Sequence, residues 1–178
     1  MKAVLSMGWS LITFRAGPEA LPYLPRLVLP LLMFNLAISL VVQSLAGGDS
    51  EQPVLQLSAM ALVAEAVWVW WLLQRRGWQN RWVQTYSALV LIDSLITLLA
   101  APLSLLLMQG GSALTGLVAV VQIVMTLWSL SVRGFIYQQA MDVSRWRGIL
   151  LALTPLFMVM LLTIQFFPEL LPTPPQGK

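Results

Sequence analysis

Charged and strongly polar residues are gathered at short intervals along the chain, with long apolar stretches between them. Residues 27–46 read LVLPLLMFNLAISLVVQSLA, without a charge. A second stretch, 54–73, is interrupted only by Glu65, and a third, 83–108, contains Asp93 and Pro102. The fourth and fifth, 112–132 and 148–167, are uncharged. At about 1.5 Å of helix rise per residue, each can cross a hydrocarbon core of about 30 Å. None shows the period-2 alternation of a barrel strand. The connecting segments AGGDSEQP, QRRGWQNR, QGGS and RGFIYQQAMDVSRWR carry the Gly, Pro, Asn and Asp of chain breaks. The pattern predicts an all-α, polytopic membrane helix bundle with five transmembrane helices, one domain over 1–178.

The beginning of the chain has a different period. Lys2, Ser6, Ser10 and Thr13 fall on one helical face, and Val4, Met7, Leu11 and Phe14 on another. This predicts an amphipathic interfacial helix over 3–14, suited to the headgroup layer. No small-x-small cleavage pattern follows it, so a signal peptide is not expected. The segment GPEALPYLP then breaks the helix and leads into the first span.

Composition agrees with the pattern. The 178 residues are 58% hydrophobic and 10% charged, with a mean hydropathy of +0.81. Soluble domains are about 45–50% apolar and about 25% charged. There is no Cys and no His, which removes disulfides, thiolate and histidine chemistry and the usual zinc sites. No metal and no cofactor is expected.

The net charge of +3 acquires meaning from its placement. Lys2, Arg15 and Arg26 precede the first stretch; Arg75, Arg76 and Arg81 follow the second; Arg133, Arg145 and Arg147 follow the fourth. Nine of ten basic residues thus fall on one side and Lys178 on the other. The positive-inside rule puts the N-terminus in the cytoplasm and the C-terminus outside. Topological anchors spread over short loops do not form a nucleic-acid-binding face. Trp70, Trp71, Trp78, Trp82 and Trp146 fit an interfacial belt, whereas Trp68 lies deeper and is expected to pack in the bundle.

Polar residues inside the spans are the candidate site. A carboxylate at bilayer depth costs about 2.5–3.5 kcal/mol on insertion scales. Counted from the basic anchors at 1.5 Å per residue, Glu65 lies about 15 Å deep, Asp93 about 18 Å, Asn35 about 13.5 Å and Gln122 about 16.5 Å. An intramembrane polar layer of Asn35, Glu65, Asp93 and Gln122 is therefore expected, with Thr97, Thr126 and Arg133 as supporting residues. On this arithmetic Arg133 reaches only the cytoplasmic part of the bundle. The acids then lack a counter-ion at their own depth, and at least one of them is expected to be uncharged. Two uses are open: interhelical hydrogen bonding, or a path that moves protons or a cation.

Catalysis is not expected. There is no phosphate loop, no H-E-x-x-H and no G-x-S-x-G, and the only lysines are Lys2 and Lys178. The layout does resemble a family. Leu127-Trp128-Ser129-Leu130 near the end of one span, and Ser144-Arg145-Trp146-Arg147-Gly148-Ile149-Leu150 opening the next, are similar to segments of the bacterial Yip1 superfamily of small integral membrane proteins. The resemblance implies a multi-pass protein of the bacterial inner membrane and no catalytic residues. The expected role is a scaffold, assembly factor or small subunit of a membrane complex, with the lipid bilayer and a membrane-protein partner or second copy as its contacts. A small transporter or proton-coupled component using Glu65 and Asp93 is the alternative.

Overall fold

The computed structural model describes residues 2–45, 53–109 and 112–168. Within them the chain forms six α-helices and no strand: α1 (Lys2–Ile12), α2 (Val28–Leu45), α3 (Val54–Arg75), α4 (Trp82–Gln109), α5 (Ser112–Met141) and α6 (Arg145–Phe166). Helices α2 to α6 each contain a segment long and apolar enough to cross a membrane. The hydrophobic runs form helices because a backbone shielded from water must bond to itself.

Three of the connections at one end of the bundle use left-handed residues, which close a helix and turn the chain in few residues. Phe14 (φ 59°) follows α1, Gly77 (φ 73°) follows α3 and Asp142 (φ 49°) follows α5. The Trp78 amide bonds back to the Leu73 carbonyl and the Val143 amide to that of Gln138, capping their helices. Seven arginines, 15, 26, 75, 76, 81, 145 and 147, flank the helix ends here. We call this the basic end.

One expected boundary moves. The segment RGFIYQQAMDVSRWR reads as a loop because of its polar residues, yet α5 continues through it to Met141 and only Asp142–Ser144 connect to α6. Val132, Ile136, Tyr137, Ala140 and Met141 are buried at helical spacing, while Gln139 is exposed. That amphipathic period, with no Gly or Pro between Ile136 and Met141, is the signal for continuation.

Helix α1 is packed on the protein through a face that includes Gly8, Leu11 and Ile12. A Cβ on Gly8 would come within 2.6 Å of the Leu95 side chain, and Leu11 and Ile12 are almost wholly buried. The expected apolar face contained Leu11, but not Gly8 or Ile12; the glycine allows the close approach to α4. Helices α5 and α6 approach through glycines as well. A Cβ on Gly134 would lie 2.6 Å from the Ile149 side chain, and one on Gly148 would collide with the Gly134 carbonyl oxygen. Small residues at helix crossings permit such close backbone packing.

The main buried cluster lies toward the basic end. It contains Val69 and Leu73 of α3, Ala88, Leu89 and Ile92 of α4, and Val132, Ile136, Tyr137 and Met141 of α5, closed by Leu11 and Ile12 of α1. Trp68 donates its indole N–H to the Leu151 carbonyl at 3.1 Å, and Trp82 donates to Ala66 at 3.1 Å. These bonds fasten α3 to α6 and to α4. Trp70, Trp71 and Trp146 face outward.

Candidate intramembrane polar site

Gly134 holds α5 against α6, and the preceding residue, Arg133, turns toward α3 and α4. Its Nη1 donates to Glu65 Oε1 at 2.6 Å. Its Nη2 donates to both carboxylate oxygens of Asp93 at 2.5 Å. One guanidinium therefore joins three helices. The side chains of Glu65, Arg133 and Asp93 are 4%, 14% and 20% exposed. Charged hydrogen bonds shielded from water are strong, and the planar guanidinium can serve two carboxylates at once.

This corrects the expectation that the two acids lack a counter-ion. Arg133 is not at the helix end; it lies eight residues, about 12 Å, inside the end of α5. The same shift moves Gln122. Counted from Met141 it is nineteen residues in, about 28 Å, toward the opposite end of the helix. Gln122 is exposed and does not join the carboxylates.

The other expected residues divide between two adjoining cavities. The first, about 310 Å³, is lined by Asn35, Ser58, Glu65, Asp93, Thr97 and Arg133 among others. The second, also about 310 Å³, lies between α4, α5 and α6 and contains Gln122, Thr126, Ser129 and Arg133. Ile96, Ser129, Arg133 and Leu156 border both, so the ion cluster stands where they meet. Thr126 donates to the Gln122 carbonyl at 2.8 Å, and Ser39 to that of Asn35 at 3.0 Å.

Two residues escaped the sequence reading. Ser94 is fully buried and accepts a 3.1 Å hydrogen bond from Asn35 Nδ2, tying α2 to α4. Tyr137 is also fully buried, and its hydroxyl has no hydrogen-bond partner among the described residues. Its signal is present in the chain: the stripe Gln122, Thr126, Ser129, Arg133 continues to residue 137 once α5 is allowed to continue.

The cavities can hold water, since they combine volume with several hydrogen-bonding groups. On the basic-end side, the space around the same helices is filled by the apolar cluster described above. The arrangement can stabilise charge inside the bundle beside space that can hold water. Among the described residues no group of three His, Cys, Asp or Glu side chains could hold a metal ion. No family model matches the chain, and no curated protein or solved structure matches it.

Proposed function

We propose that this chain is a non-enzymatic component of a membrane assembly, a scaffold, assembly factor or small subunit, with the layout of a bacterial Yip1-like protein of the inner membrane. The observation that carries this reading is the cleft between α4, α5 and α6. There Gln122 and Thr126 are exposed in the part of α5 away from the basic end, on a stretch from Gly116 to Leu127 whose other exposed residues carry no polar side chain, among them Leu117, Val120 and Ile123. An amide left in hydrocarbon without a partner costs several kcal/mol, roughly 2–7 depending on the reference state. A polar group from a neighbouring helix, of another protein or a second copy, offsets that cost.

The seven arginines at the basic end favour placing that end in the cytoplasm. The exposure of Ser6 and Trp9 supports an outer face of α1 turned toward lipid or headgroups. A photo-crosslinker at residue 122 tests the assembly. It should capture one reproducible membrane partner, whereas a crosslinker at Leu150 on the outer face of α6 should not. Capture of lipid alone at position 122 overturns the reading.

A second reading, movement of a small solute coupled to protons, is favoured by the ion cluster standing beside two cavities. Intramembrane ionisable groups commonly mark such paths. It requires Glu65→Gln and Asp93→Asn each to abolish flux in vesicles, and unaltered flux in both overturns it.

A further inference from the structure

The Glu65–Arg133–Asp93 cluster holds two carboxylates against one guanidinium, so with every group ionised it carries one excess negative charge. The groups around it do not balance that charge. Asn35 of α2 is neutral and engaged with Ser94. Tyr86 of α4 donates its hydroxyl to the Leu62 carbonyl at 2.9 Å. The α6 wall of the cavity is Pro155, Leu156 and Val159. An uncompensated charge away from bulk water is costly, and the cluster needs one positive charge more.

The two carboxylates are held unequally. Both oxygens of Asp93 accept from Arg133 Nη2. Glu65 uses Oε1 alone, and its Oε2 has no donor among the described residues. A second, separate feature points to the same place. The buried Tyr137 hydroxyl, on α5 one helical turn beyond Arg133, has no hydrogen-bond partner among the described residues. A phenol can donate to or accept from a protonated carboxyl or a water beside it.

We propose that Glu65 binds one proton at Oε2, taken up from the cavity bordered by Ser58 and Thr97, and that this proton is the charge that completes the cluster. Asp93 stays ionised on Arg133. The proton-binding site is a property of the cluster and stands whether the protein scaffolds an assembly or moves a solute.

Infrared spectroscopy of the purified full chain at neutral pH tests this through the carbonyl stretch of an un-ionised carboxylic acid. Wild type should show one such carboxyl per chain. Labelling with ¹³C-glutamate should shift the band, and ¹³C-aspartate should leave it in place. Exchange into D₂O should shift it without unfolding, because Glu65 lines the cavity. Charge balance predicts that Glu65→Gln and Asp93→Asn each remove the band and that Arg133→Gln doubles it. Absence of the band in wild type, a shift on aspartate labelling, or its replacement by added NaCl overturns the proposal. The labelled wild type decides the matter even if a variant fails to fold.

Discussion

Helix α4 passes through two different environments although both its halves are mainly apolar. From Thr85 to Ile92 every residue is buried. Nearer its other end, Leu98, Leu99 and Leu106 are 44%, 43% and 51% exposed. The first half is surrounded by α1, α2, α3 and α5 and packs densely. The second half borders the two cavities and the outer surface, and the ion cluster stands between the two. Apolar character alone therefore does not say which residues a membrane bundle buries, because lipid accepts leucine as readily as another helix does. The dense half is set by an extra element, α1, and by close helix approaches at Gly8 and at Gly134 and Gly148.

The largest effect should come from the boundary between the halves. Arg133→Leu removes the shared donor of both acids and leaves Asp93 to take up a proton or stay charged without a partner, which should cost about 3–5 kcal/mol, the range for breaking one side of a buried ion pair. Thermal unfolding in detergent should show a greater loss than either Leu89→Ala or Asn35→Leu produces. Combining it with Glu65→Leu and Asp93→Leu should restore most of the stability, since apolar replacement of a whole buried cluster is often neutral. Failure of the triple variant to recover would mean that the cluster holds the helices together by more than charge compensation.

Next come matched leucines. Leu89→Ala, at 0% exposure in the dense half, should cost about 2–4 kcal/mol through loss of packing and the cavity left behind. Leu99→Ala, at 43% exposure, should stay within about 0.5 kcal/mol. Equal losses in detergent stability would remove the distinction between the halves.

Asn35→Leu breaks the hydrogen bond to Ser94 and should cost about 0.6 kcal/mol, the average for interhelical bonds in membranes. Water access should separate the cavity beside the second half, which Ser58 of α3 lines, from the dense half without changing stability much. The natural chain has no cysteine, so Ser58→Cys and Ala88→Cys each carry a single thiol. A water-soluble thiol reagent should modify residue 58 and spare residue 88; modification of both would show that the dense half is not dry.

The residues that sequence reading reaches and those it misses differ in a physical way. Glu65, Asp93 and Asn35 announce themselves because each interrupts an apolar run, and a polar side chain in hydrocarbon requires an account. Arg133 is visible in the sequence but misplaced by it. Its charge suggests a helix end, and the buried period Ile136, Tyr137, Ala140 and Met141 that carries α5 onward is diluted by Gln138 and Gln139. The error passes to Gln122, whose depth is counted from Arg133. Ser94 and Tyr137 are missed because a serine or tyrosine in a helix carries no penalty large enough to mark it.

The sequence by itself determined that five long apolar helices are present, that charge is sparse and concentrated between them, and that Glu65 and Asp93 lie within the runs. Hydrophobicity and helix rise are local properties, summed along one segment at a time. Tertiary structure alone decided that Arg133 meets both acids, that Gln122 lines a neighbouring cleft instead of joining them, and that Gly8 seats α1 against α4. Those outcomes depend on the rotation and end-point of one helix relative to another. A shift of two turns in where α5 ends leaves its composition unchanged and alters which groups meet.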